Sequence, residues 1–182
     1  YNDSESMSVY WVNLPDFASS IESIQIQRGV GTSTNGSAAF GGSINILTNA
    51  ASDNASFEIN NTLGSFNTVK NSVGFSTGFI NDKFELSGRL SRIKSSGYID
   101  RSGSKLNSYF LQGIYKDENT LLKILNFAGH EITDQAWFGV DSSTLDINRK
   151  YNPAGEYYDK IGNTLYYNNQ DDNYKQDHYQ FH

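Results

Sequence analysis

The chain has 182 residues and a formal charge of −6, from 14 Lys and Arg against 20 Asp and Glu. With no Cys, it can form neither a disulfide framework nor a thiolate metal site, and it has no cysteine nucleophile. An acidic chain without a basic block argues against nucleic acid as a partner, and an aromatic content of 14% argues against disorder. No run of eighteen apolar residues encodes a transmembrane helix. The start lacks the charged-then-apolar pattern of a signal peptide. Tyr1 in place of an initiator Met reads as the start of a processed or excised piece.

Residues 1–50 are mixed in character. Ser8-Val9-Tyr10-Trp11-Val12-Asn13-Leu14 predicts a short buried strand. Residues 15–20 predict one helical turn, with Pro15 acceptable at its start. Residues 21–28 alternate Ile24 and Ile26 with Gln25 and Gln27, which predicts a strand. A small-residue stretch follows, and residues 43–48 predict another strand. Residues 49–54 are small and polar and read as a linker.

Residues 55–130 show period-two alternation between turn signals. In 69–79 the odd positions are mostly apolar, and the even ones, Lys70, Ser72, Gly74, Ser76 and Gly78, are small or polar. Further strands are predicted at 55–63, 84–94, 105–116 and 120–130, and a sixth from about Asn173. Each is about nine to twelve residues long, above the globular mode and close to what a tilted membrane strand needs. A soluble β-sandwich alternates too, so periodicity alone leaves both architectures open. Residues 105–116 and 120–130 carry apolar groups on both faces and read equally as strands buried on both sides. Residues 131–172 form a long connection with eight acids, three bases and seven aromatics. Connections of this length are functional or disordered, and the aromatics argue for function. Short turns at 80–83 and 117–119 and the long connection give the loop asymmetry of an outer-membrane barrel.

Sites for chemistry are scarce. Gly31 and Gly36 have phosphate-loop spacing, but Ser37-Ala38 stands where Lys-Ser/Thr is required, so tight turns explain the glycines better. His178 and His182 share a strand face but lie roughly 13 Å apart, too far for one metal ion. No Gly-x-Ser-x-Gly elbow occurs. The chain is therefore expected to be no enzyme and to carry no cofactor or resident metal.

The stretch from Ile21 through Arg28-Gly29-Val30-Gly31-Thr32-Ser33-Thr34-Asn35-Gly36 to Phe40-Gly41-Gly42-Ser43-Ile44-Asn45-Ile46 resembles the end of the plug domain of TonB-dependent outer-membrane receptors, in the form common in Bacteroidetes. Leu63-Gly64-Ser65-Phe66-Asn67-Thr68, Ser96-Gly97-Tyr98-Ile99-Asp100, Gln135-Ala136-Trp137-Phe138-Gly139-Val140, Tyr151-Asn152-Pro153-Ala154-Gly155-Glu156-Tyr157 and Asp172-Asn173-Tyr174-Lys175-Gln176-Asp177-His178-Tyr179 resemble successive parts of its barrel. The resemblance spans nearly the whole chain in order.

It implies a mixed α/β plug end over 1–50, followed over 51–182 by the first five to six antiparallel strands of a large, 22-stranded plugged barrel. The front of the plug, with its TonB-contact segment, and about sixteen strands would lie outside the chain. The implied function is active import of a ferric siderophore or related iron complex, with haem and cobalamin as further cargo, across the outer membrane of a Gram-negative cell. The implied partners are the TonB complex, the ligand and outer-membrane lipid. The plug motif is Arg28, Gly29, Gly31, Gly36, Phe40, Gly41 and Gly42, with Arg28 buried beneath the lumen and paired to strand acids. Glycan importers of the family carry a Lys-Asp-Ala turn that Arg28-Gly29-Val30-Gly31 departs from. Tyr98, Arg101, Trp137, Phe138 and Tyr157 are the candidate ligand contacts, against the alternative that loop aromatics pack on one another. The competing functions are a soluble β-rich carbohydrate-binding module using Trp137 and Tyr157, and a glycan importer of the same receptor family.

Overall fold

Period-two alternation becomes an antiparallel meander. In the computed structural model, Trp11 and residues 14–30, 41–134 and 136–167 are described, together with the backbone of 171–181. The chain enters through a 3₁₀ turn, Phe17–Ser20. β1 (Ile21–Arg28) and β2 (Gly42–Thr48) then form a hairpin. Next come β3 (Ala55–Gly64), β4 (Thr68–Thr77), β5 (Phe84–Ser95), β6 (Ser104–Lys116) and β7 (Leu121–Asp134). After a short helix, α1 (Ser142–Ile147), β8 (Glu156–Tyr158) pairs with β9 (Thr164–Tyr166), and β10 (Asp171–Phe181) follows. Strands β3 to β7 pair in sequence, and β10 lies along β7, giving six strands in one antiparallel sheet with β3 and β10 at its edges. The architecture is antiparallel β with little helix.

Two of the hairpin turns fit the twist of their strands. Phe66 and Asn67, and again Asn81 and Asp82, are consecutive residues with positive φ, the mark of the type I′ turn that matches strand twist.

Two predicted boundaries are corrected. Trp11 sits in a helical turn rather than a strand, is 46% exposed, and its carbonyl accepts from the Leu14 N–H at 3.1 Å. Residues 8–10, 12 and 13 of that predicted strand lie outside the described residues. β7 runs to Asp134, beyond the predicted end at 130, because its backbone keeps pairing with β6 on one side and β10 on the other. The acids at 131 and 134 read as loop, yet Glu131 is buried. The connection therefore spans 135–170 and contains α1 and the β8–β9 hairpin.

The sheet has two unlike faces. Residues 14–20 lie across one of them. Phe17 packs on Phe127 with ring centroids 4.8 Å apart, Phe127 lies 6.3 Å from Phe110, and Leu125 completes this core. Pro15 sits directly on Gly129: a Cβ there would lie 2.4 Å from the proline ring. The Asp16 carboxylate ties the segment down. It pairs with Lys70 Nζ at 2.6 Å and Arg89 Nη1 at 2.7 Å, and it accepts from the Ser91 hydroxyl. Arg89 donates further to the Asp16 carbonyl at 2.8 Å and to Ser20 Oγ at 2.9 Å. Lys123 Nζ donates to Thr48 Oγ1 at 3.0 Å, holding the root of the β1–β2 hairpin.

The other face is open. Phe57, Ile59, Val73, Phe75, Phe84, Leu86, Leu90, Leu111, Leu122 and Ile124 are all exposed along it. This accounts for the two-sided apolar pattern of β6 and β7. Phe110, Ile114, Leu125 and Phe127 face the covered side, and Leu111, Leu122 and Ile124 the open side.

Burial works to raise the Asp16 pKa, but the bonds from Lys70, Ser19 and Ser91 and the charge of Arg89 outweigh it, and the carboxyl titrates below its ordinary value. Its contribution is thus complete above the ordinary carboxylate range of about 3.9 and is lost as pH falls through the depressed native value. Asp16→Asn leaves two cations against a neutral amide, and breaking a buried pair costs about 3–5 kcal/mol. Amide hydrogen exchange over residues 14–20 of the intact protein should then quicken by roughly a hundredfold to a few thousandfold, since about 1.4 kcal/mol is a factor of ten. Exchange in β6 should be unchanged. Wild-type protection of 14–20 in the variant would refute this anchoring role.

Candidate functional site

Antiparallel alternation gathers the turn at 65–67, the loop 96–103 and the connection 135–170 at one end of the sheet. The short turns at 80–83 and 117–119 lie at the other. The structured loops are therefore all on one side.

Arg101 joins two of them. Its backbone is left-handed at φ 51°. Its Nη2 donates to the Asn152 carbonyl and to the Ala154 carbonyl at 3.4 Å, and its guanidinium lies 3.8 Å from the centre of the Tyr166 ring. Asn152 answers from the other side. It is 2% exposed, donates from Nδ2 to the Asp100 carbonyl at 2.9 Å and accepts the Ala154 N–H at 3.0 Å. The Asp100 N–H donates to the Lys150 carbonyl at 2.8 Å. Four contacts between residues about fifty apart in sequence thus lock loop 96–103 to residues 150–154, which lead into β8, and the Tyr166 ring adds a contact to the β8–β9 hairpin.

Next to this lock, Glu156 collects three tyrosines. Tyr151 donates to it in a short bond, Tyr158 at 2.7 Å and Tyr166 at 3.5 Å. Those bonds hold the Glu156 carboxyl below its usual range, the Tyr151 bond foremost. The same bond pushes the Tyr151 hydroxyl up to about 12. Asp141 caps α1, accepting the Thr144 N–H at 2.7 Å.

The structure brings some predicted site residues together. Tyr98 meets Phe66 edge-on at 5.4 Å, with the Lys150 ammonium 5.9 Å from its ring centre. Tyr157 stacks on Tyr167 at 4.5 Å. Tyr98 and Arg101 thus share the locked loop, whereas Tyr157 lies with Leu165 and Tyr167 on the side of the β8–β9 hairpin opposite Tyr166, the ring that Arg101 meets. Trp137 and Phe138 stand apart. Their rings are 6.5 Å from each other and 63% and 53% exposed, with no hydrogen bond or ring contact to Arg101 among the described residues. They are free to meet a ligand, whereas Arg101 is committed to holding the loops. Asn152, Glu156 and Tyr166 were missed as hubs by sequence reasoning. The Asn152-Pro153 turn signal marks a bend but not its partner.

At the β1–β2 hairpin, Gly29 takes φ 86° and its N–H donates to the Gly41 carbonyl at 3.1 Å, while Arg28 and Gly42 are register partners. Gly31, Gly36 and Phe40 lie outside the described residues. The expected burial of Arg28 is not observed. The side chain is exposed and makes no ion pair among the described residues. The reason is its place in the ladder: Arg28 is the last residue of β1, paired with Gly42 at the end away from Thr48. The ionic link to the sheet is made instead by Asp16.

The Tyr151–Glu156 bond is directly testable. The neutral hydroxyl stabilises the loop below an ordinary tyrosine pKa of about 10, and this is lost as pH rises through the raised native value. In a spectrophotometric titration Tyr151 should ionise near 12. Glu156→Gln removes the carboxylate and should return Tyr151 toward about 10. A tyrosine titration curve identical in the variant would contradict the pairing.

No family model, curated protein or solved structure matches the chain.

Proposed function

We propose that the chain belongs to a TonB-dependent outer-membrane receptor that imports a ferric siderophore or a related iron complex, with haem and cobalamin as cargo of the same class. The observation that carries this reading is the open face. Exposed Phe57, Ile59, Phe75, Leu86, Leu90 and Leu111 form an apolar surface far larger than isolated exposed residues require. Lipid is the solvent that suits it. β3 to β7 have 10 to 14 residues, enough to span a bilayer at a tilt. Phe84 and Tyr115, 4.9 Å apart beside the short turns, suit an interfacial aromatic belt.

The remaining parts fit this scheme. The face bearing Lys70, Ser72, Glu85, Arg89 and Gln112 would line the lumen, with residues 14–20 and the β1–β2 hairpin as plug. The short turns would be periplasmic and the structured loops extracellular. The locked loops, held by Arg101 and Asn152, would present Trp137, Phe138 and neighbouring tyrosines to cargo on a rigid frame. The TonB complex would engage plug sequence ahead of this segment, and further strands would complete the barrel between β3 and β10.

Exposed Trp137 and Phe138 also suit sugar ring faces, so a glycan cargo or a soluble sugar-binding module is the second reading. Uptake by cells carrying or lacking the full-length gene, starved of iron, separates the readings. Gene-dependent uptake of radiolabelled ferric siderophore, haem or cobalamin that stops when TonB is removed is the expected result. Uptake of a glycan alone selects the sugar importer. A full-length protein that stays soluble and monomeric without detergent overturns the receptor.

A further inference from the structure

The open face changes character toward the loop end. One register row across β3 to β7 holds Ile59, Val73, Leu90, Tyr109 and Ala128. The next holds Asn61, Asn71, Arg92, Asn107 and His130, and the one after it Leu63, Val69, Lys94, Lys105 and Ile132. Apolar surface therefore gives way within two rows to a surface with three strong cations, Arg92, Lys94 and Lys105, all exposed.

Lys94 and Lys105 are direct cross-strand partners. Side chains so placed have Cβ atoms about 4.5–5.5 Å apart, and like charges there destabilise the pair. Arg92 adds a third positive charge two residues earlier on the same face, roughly 6.6 Å away along the strand. No acid relieves them: among the described residues the ion pairs are those of Asp16 with Lys70 and Arg89, on the covered face. The acid of the open face nearest in register, Asp134, accepts the Gly103 N–H at 2.9 Å. Below the cations runs a groove of about 350 Å³, lined by Leu90, Asn107, Tyr109, Ala128 and His130 with Ser91, Ser108 and Gly129 between them.

We propose that Arg92, Lys94 and Lys105 bind the headgroup phosphate of a phosphorylated lipid in the leaflet at the loop end, whose acyl chains lie along Leu90 and the groove. The proposal rests on the membrane reading above and names the lipid that this part of the barrel wall selects. A dianionic phosphate turns the Lys94–Lys105 repulsion into a shared attraction, and each strand cation near a charged membrane surface adds to the attraction. The apolar rows directly beneath require the same ligand to be amphipathic, which a free phosphate is not.

The full-length protein in nanodiscs, titrated with diphosphoryl lipid A and with its dephosphorylated form, tests this by native mass spectrometry. Wild type should prefer the phosphorylated lipid by about tenfold or more. The triple variant Arg92→Gln, Lys94→Gln, Lys105→Gln should bind both forms alike while keeping its heat-modifiable electrophoretic mobility. Lys105→Glu should also lose the preference yet melt higher in lipid-free detergent, because it sets opposite charges across the strands. An inserted wild type without preference, or a triple variant that keeps it, overturns the phosphate clamp alone. A chain that does not enter the nanodisc and stays soluble overturns the membrane reading with it.

Discussion

One carboxylate decides which face of the sheet is covered. Asp16 lies 8% exposed between Lys70 and Arg89, so its charge is largely removed from water. Desolvation of that kind is favourable only when every partner is in place. Here two cations, a serine hydroxyl and the fork of Arg89 on the Asp16 carbonyl and Ser20 supply them. Asp16 also holds a left-handed backbone at φ 54°, which turns the chain so that Pro15 lands on Gly129 and Phe17 on Phe127. Polar residues on that face, Gln112 and Glu85 among them, are buried to 1% and 2% exposure.

The opposite face has no such cover among the described residues, and in the receptor proposed here lipid is its solvent. A sheet with polar, charged and small residues on one side and Phe, Ile and Leu exposed on the other is inverted relative to a soluble sandwich, whose apolar side is the hidden one. The inversion is incomplete, because Phe110, Leu125 and Phe127 form a small apolar core where the entering segment docks. That mixture gives β6 and β7 apolar residues on both sides. Arg101 plays at the loop end the part that Asp16 plays on the covered face. Both residues have positive φ, both engage backbone carbonyls or N–H partners far away in sequence, and both tie separate segments into one unit.

Local pattern carried most of the strand framework. Alternation in 69–79 and the turn signals at 80–83 and 117–119 located β4 to β7 closely, because strand period and turn chemistry are properties of a few neighbouring residues. The end of β7 was illegible, since Glu131 and Asp134 have loop composition and only pairing with β6 and β10 keeps them in a ladder. Trp11 failed in a similar way: the apolar run Val9-Tyr10-Trp11-Val12 suggested a strand, and Trp11 sits in a helical turn. The anchoring contacts were beyond reach altogether. Asp16 meets Arg89 across 73 positions and Arg101 meets Asn152 across 51, and no local signal encodes either. Arg28 had a recognisable motif around it, but its exposure follows from its place at the end of the β1 ladder, which the motif does not specify.

The central claim is that the two faces of one sheet meet different media, lipid on the open face and the docked segment on the other. The chain contributes no native Cys, so a spin label can be set at single introduced cysteines in the full-length protein reconstituted into bilayers. Labels at Val73, Phe75, Leu86 and Leu90 should collide with membrane-dissolved oxygen and be shielded from a water-soluble nickel chelate. Labels at Ser76 and Ser87 should be shielded from oxygen, so that access alternates with period two along β4 and β5. Open-face labels that meet the nickel chelate more readily than oxygen would contradict a lipid-facing sheet.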